Sequence, residues 1–228
     1  MGLHQPSDAQ QFERCMVSVN RLRDRKSDFI VNEWMMDSGA FMELKLFGRY
    51  RDGVAAYAAH IRRWSRCGRL IAAVAQDYMC EPFMLERTGL DVSTHQRLTI
   101  ERYDALVTEQ PGVYILPVLQ GYQPAEYLAH LAQYGARLAR GAWVGVGSVC
   151  KRNADINQIA SVLIAVRSAR PDLRLHAFGL KTTALESDLV RSTIHSADSM
   201  AWSFAARKNG RNANDWREAA AFATRIAT

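Results

Sequence analysis

Cysteine is scarce in this 228-residue chain, and no two cysteines are paired in sequence: Cys15, Cys67, Cys80 and Cys150 stand apart, without a C-x-x-C. That spacing offers no zinc signature, and in a cytosolic setting it predicts reduced thiols. Glycine and proline are not in excess, and neither an internal repeat nor a low-complexity tract occurs. No apolar run approaches the roughly 18 residues of a membrane helix. The opening stretch, MGLHQPSDAQQ, is polar and lacks the apolar core of a signal peptide, so a cytoplasmic protein with no membrane partner is the expectation. Other signatures are missing as well. There is no G-x-x-x-x-G-K-[ST] phosphate loop and no G-x-S-x-G elbow to present a serine nucleophile. GVGSVC lacks the third glycine of a dinucleotide fingerprint, and the six histidines (4, 60, 95, 130, 176, 195) show no metal-ligand spacing.

What is present is ordinary globular material, 48% hydrophobic and 23% charged, with a formal net charge of +6. The positive balance makes a polyanion a plausible partner. Three arginine-rich stretches, RLRDRK (21–26), HIRRWSR (60–66) and ARKNGR (206–211), point the same way, although each also reads as a solvated face.

Short apolar runs alternate with amphipathic ones. Strands are expected at 15–20, 29–37, 70–78, 113–121, 143–149, 173–181 and 196–202, and helices at 54–66, 125–139, 156–169 and 214–227. Asp155 is placed to cap the third of these helices, which must stop before Pro171. Alternation of this kind predicts a parallel α/β architecture. Seven strands suggest a (β/α)8 TIM-like barrel, compact or shortened, with a doubly wound open sheet as the alternative. No linker-like composition shift divides the chain, so one domain over 1–228 is expected.

Chemistry concentrates where the strands end. MMDSG, AVAQDY, PVLQGY, VGVGSV, HAFGLK and SADSM each finish on a polar or aromatic residue beside a small one. Strand carboxyl ends and the loops after them build the site in barrels and open α/β sheets alike. Asp37, Asp77, Asp198 and Gln120 therefore converge if the strands are right, with glycines leaving room for a ligand. Taken singly, an Asp after a strand commonly caps the next helix. Cys150 with His176 or His195 would make a thiol–imidazole pair, but a buried structural cysteine is the simpler reading.

The ordered set DSGAF (37–41), QDYMCEP (76–82), LQG (119–121), VGVG (144–147), HAFGLK (176–181) and SADSMAWS (196–203) resembles the tRNA-guanine transglycosylase superfamily. VAQDYMCEP, VGVGSVCKRN and SADSMAWSFAARK look most like its DpdA-type branch, which inserts deazaguanine bases into DNA. The resemblance implies that Asp198 is the nucleophile on C1′ and Asp37 the general acid/base. It implies that Asp77, Gln120 and the Gly145–Gly147 backbone read the base edge, while Phe41 and Phe178 sandwich its face. It implies exchange of guanine for a 7-deazaguanine such as 7-cyano-7-deazaguanine. Arg207, Lys208 and Arg211 follow the nucleophile closely enough to hold backbone phosphates. The tRNA enzymes' C-x-C-x-x-C…H zinc site is not found, so neither a metal nor a cofactor is expected, and DNA is favoured over tRNA. A homodimer or partner modification proteins fit the resemblance. Exchange on tRNA, simple nucleoside hydrolysis, and a non-catalytic barrel that only binds a base or nucleic acid remain the competing readings.

Overall fold

The computed structural model describes residues 1–150, 152 and 155–227; Lys151 and Asn153 of VGVGSVCKRN and the first residue of ADINQIASVL lie outside them. Nine short strands occur among the described residues: β1 (Gly2–Leu3), β2 (Arg14–Ser18), β3 (Glu33–Asp37), β4 (Arg69–Val74), β5 (Tyr114–Leu116), β6 (Val118–Leu119), β7 (Trp143–Val146), β8 (Arg174–Ala177) and β9 (Ser196–Ala197). They form two all-parallel sheets, ordered β1-β2-β3-β4-β5 and β6-β7-β8-β9. Every neighbour in each sheet is the next strand in sequence, and because the pairs are parallel each is joined by a crossover rather than a tight hairpin.

The crossovers and surface helices are α1 (Ala40–Phe47), α2 (Val54–Trp64), α3 (Pro82–Thr88), α4 (Val92–Thr108), α5 (Pro124–Tyr134), α6 (Ile156–Ala169), α7 (Thr182–Leu185), α8 (Asp188–Arg191), α9 (Ala201–Lys208) and α10 (Trp216–Ala227). Local chemistry sets their ends. Asp91 and Asp155 cap α4 and α6 by accepting backbone N–H bonds from Thr94 and Gln158. Gln123 and Glu126 close a capping box ahead of Pro124 in α5. Gly48, with φ of 66°, ends α1, a conformation that favours glycine.

Several strands are shorter than their apolar runs suggest. The 113–121 run is interrupted by Pro117, which has no N–H for the ladder and splits it into β5 and β6. The 196–202 run yields only Ser196–Ala197, because Ala201 already starts α9. The two-residue β1 and the 17-residue α4 are additions to the expected elements. Hydrophobicity in β1 is too brief to register, and α4 carries polar residues such as His95, Gln96 and Thr99 on its buried side.

Alternation along the strands sorts two kinds of core. Cys15, Val17, Trp34, Met36, Ala73 and Ile115 pack outward beneath α2 and α10. Val144, Val146, Leu175 and Ala177 pack outward beneath α5 and α6. The opposite faces of both sheets meet in one shared cluster: Met16, Met35, Ala72, Val74, Leu116 and Val118, with Trp143 and Phe178 against it. Pro117 accepts the Gly145 N–H at 2.8 Å, tying the two sheets where β5 passes into β6. At the other margins the Gly2 N–H donates to Ser199 O (3.1 Å), and Trp202 Nε1 donates to Gly2 O (3.0 Å).

Candidate active site

The polar strand ends fall where the sequence suggests, on the carboxyl side of the sheets. Asp37 is the last residue of β3; Gln120, Gly147, Phe178 and Asp198 come directly after β6, β7, β8 and β9; Asp77 lies three residues beyond β4.

Asp37 is held by the turn that follows it. Its Oδ2 accepts the Gly39 N–H at 3.1 Å. Gly39 has φ of 76°, and a Cβ there would lie 2.3 Å from Asn20 Nδ2, so both conformation and space demand glycine. Burial pushes the Asp37 carboxyl up to about 6; the Ser18 hydroxyl pulls it back, and the negative charge of Asp198 pushes it up further.

Asp77 is buried and accepts a hydrogen bond from Gln120 Nε2, with the Ser38 hydroxyl at 3.5 Å from its other oxygen. Burial raises it to about 7; the Gln120 contact works against this, and the Asp37 charge adds to it. Gln120 Oε1 lies 2.7 Å from Ser148 Oγ, whose single proton can serve either that oxygen or Glu81 Oε2 at 2.8 Å. Ser148 also accepts the Cys80 N–H and has a positive φ of 53°. The Gln120 backbone is fixed as firmly: its N–H donates to His130 Nδ1 (2.8 Å) and its carbonyl accepts from Gln96 Nε2 (2.8 Å).

The two glycines of VGVG serve packing. A Cβ on Gly147 would sit 2.1 Å from Gln120 Nε2, and one on Gly145 would sit 2.4 Å from the Phe178 ring. Their amides are spent on the sheet, Gly145 donating to Pro117 O and Gly147 to Leu119 O. The reading of a base by these amides is therefore unsupported in this state, whereas their lack of a side chain is what admits Gln120 and Phe178. Phe178 packs with the inner cluster, and Phe41 packs with Tyr78 and Met84 beside Phe83.

Asp198 Oδ1 accepts the Gly179 N–H at 2.9 Å and has His176 Nε2 at 3.4 Å. A cleft of about 240 Å³ borders Asp198 on its outer side, lined by Met1, Leu185 and the α10 residues Phe222 and Ile226. Arg207 and Lys208 are exposed at the end of α9. Arg211 is committed to Glu218, with its Nε 2.6 Å from Oε1. Among the described residues no group of three or more His, Cys, Asp or Glu could hold a metal ion. No helix among them is long and apolar enough to cross a membrane.

Sequence reasoning misses Ser148, Ser196, Trp143 and the role of His176, which it offers only as a partner for Cys150. Cys150 lies instead against Glu81 (Sγ to Oε1, 3.8 Å). The period-2 rule is the available signal for His176, since it shares a strand face with Phe178 two residues on.

Chemically, the site offers two carboxylates in different settings and a buried amide–carboxylate pair able to recognise a polar heterocycle. Comparison with known proteins agrees in direction. The family model described as DpdA, DeoxyPurine in DNA protein A, matches residues 1–219. No curated protein matches the chain.

Proposed function

The chain belongs to the DpdA family, DeoxyPurine in DNA protein A, and from that membership we propose that it is a glycosyltransferase replacing guanine in DNA with a 7-deazaguanine, such as 7-cyano-7-deazaguanine. The observation that carries this reading is the pair Asp37 and Asp198. Each sits at a strand end with one oxygen held by a glycine N–H, and the two are close enough for the charge of one to raise the other.

In the proposed reaction an Asp198 oxygen bonds to C1′ as the glycosidic C–N bond breaks, and that bond's electron pair leaves with guanine. Asp37, raised to about 6, gives the departing base a proton and regains one from the ring nitrogen of the incoming deazaguanine. That nitrogen attacks C1′ and expels Asp198. Two displacements retain configuration, as in retaining glycosidases. Carboxylates at different pKa values suit this division of roles. The chemistry needs no metal or cofactor, because the two acids supply both nucleophile and proton. Asp77 and Gln120 would exchange their mutual hydrogen bond for contacts to the base edge, with Phe178 and Phe41 flanking its faces. A paired base would have to be flipped out at a cost of a few kcal/mol, with Arg207 and Lys208 on the flanking phosphates.

We read the two sheets as one eight-position barrel and one domain. The second sheet continues the first through Pro117, the inner faces share one cluster, and Gly2 bonds to Ser199 across the remaining margin.

Co-expression with a deazaguanine-making pathway, followed by nucleoside mass spectrometry of digested DNA and tRNA, tests the proposal. Deazaguanine in DNA is expected with the wild type and none with Asp198→Asn or Asp37→Asn. Incorporation into tRNA alone would overturn the assignment of polymer. A denaturing gel should show a protein–DNA adduct that Asp198→Asn cannot form.

A further inference from the structure

The inner end of the second sheet holds a polar chain that the exchange chemistry above does not use. His176 on β8 is 2% exposed, and its ring packs edge-on against Phe178 at 4.7 Å. Its Nδ1 lies 2.9 Å from Ser196 Oγ on the neighbouring strand β9, in register with it. Ser196 Oγ in turn accepts a hydrogen bond from Trp143 Nε1 at 3.0 Å. The other ring nitrogen, Nε2, is buried without a hydrogen-bond partner among the described residues, although Asp198 Oδ1 is only 3.4 Å away. A buried orphan of this kind calls for an explanation.

The tautomer supplies it. Were Nδ1 protonated, Ser196 Oγ would accept from both Nδ1–H and Trp143 Nε1–H, its own proton would lose the Nδ1 acceptor, and the Nε2 lone pair would face a carboxylate oxygen. The last two features are unfavourable. With the proton on Nε2, Ser196 donates to Nδ1, Trp143 donates to Ser196, and Nε2–H points its positive end at Asp198. We propose that His176 is a positioning residue for Asp198: with the Gly179 N–H it ties down Oδ1 and leaves Oδ2 as the oxygen that bonds to C1′. The proposal rests on the reading of Asp198 as nucleophile. Oδ2 has no hydrogen-bond partner among the described residues, so it alone is free to attack. The long Nε2···Oδ1 separation fits a contact that tightens once substrate is bound.

In the covalent step the Oδ2–C1′ bond forms while the C1′–N bond breaks, and the pair departs with the base. Oδ1 becomes the ester carbonyl oxygen and keeps both donors, so neither His176 nor Gly179 gains or loses a proton. Facing Asp198 are His176 from β8, Asp37 from β3 and the amino group of Met1 next to β1; His195 is the further ionisable group near His176.

Two measurements decide the matter. Nitrogen-15 spectra of histidine-labelled protein, recorded where the imidazole is neutral, should show the His176 proton on Nε2, and Ser196→Ala should mix the two tautomers. An Nδ1–H tautomer in the wild type overturns the proposal without reference to activity. In single-turnover adduct formation with a DNA duplex, His176→Leu should slow the step about 10–100-fold, with the half-saturating DNA concentration unchanged. His176→Gln, which carries an N–H of similar reach, should recover most of the rate. Equal loss in both variants means a merely structural histidine and sinks the idea. Should the wild type form no adduct at all, the nucleophile assignment fails, while the tautomer measurement still judges the geometry.

Discussion

At the scale of single residues, Asp77 binds its proton more tightly in the folded chain than in the unfolded one. Burial holds it at about 7 against an ordinary 3.8. The sign of the linkage follows: its contribution to stability is complete below pH 4 and is lost as pH rises through 7. Asp77→Asn removes the titration, so the variant's unfolding free energy should depend less on pH between 4 and 7. Urea titrations at a series of pH values read this directly, and an unchanged slope would contradict the buried acid. Gly147→Ala tests the space beside it. A Cβ 2.1 Å from Gln120 Nε2 must displace that amide, and overpacking of this kind costs about 1–3 kcal/mol. Loss of stability together with a raised KM for the base is expected, because the displaced side chain is the one bound to Asp77.

At the scale of elements, what keeps Gln120 in place is the junction of α4, α5 and β6. His130 on α5 accepts the Gln120 N–H through Nδ1 and donates from Nε2 to Gln96 O on α4 (3.1 Å). Burial pushes His130 down to about 4, which keeps it neutral and able to do both. His130→Leu preserves the apolar volume and strands a buried N–H, which costs about 1–3 kcal/mol. The wild type should also lose stability as pH falls from 6.5 toward 4, where only the unfolded chain takes up the proton. That increment should vanish in the leucine variant when the two denaturation series are compared.

At the scale of the whole molecule, a net charge of +6 meets a site built from acids. The acids lie inside the strand ends, and exposed Arg207 and Lys208 stand beyond them on α9. DNA affinity should therefore fall with salt. Replacing either cation with alanine should reduce the slope of log K against log salt by about 0.9 for each phosphate no longer neutralised. Fluorescence anisotropy across a salt series measures it. Arg211→Ala should change the slope less, since Glu218 already holds that guanidinium.

The order of alternating strands and helices, the capping of α6 by Asp155 and the polar residue at each strand end are legible from the sequence alone. They depend on contacts within a few residues, and the family motifs lie on the same short stretches. Partnerships are not legible. That Gly147 makes room for Gln120, that His130 carries the Gln120 amide, and that His176 faces Asp198 through a chain from Trp143 and Ser196 are matters of strand register and helix placement. These bring together residues 10 to 53 positions apart. Side-chain type and local pattern already set which chemistry the chain can offer. Which acid is buried, which oxygen is held and which is left free depends on the fold, because desolvation and hydrogen bonding are set by the neighbours that folding supplies.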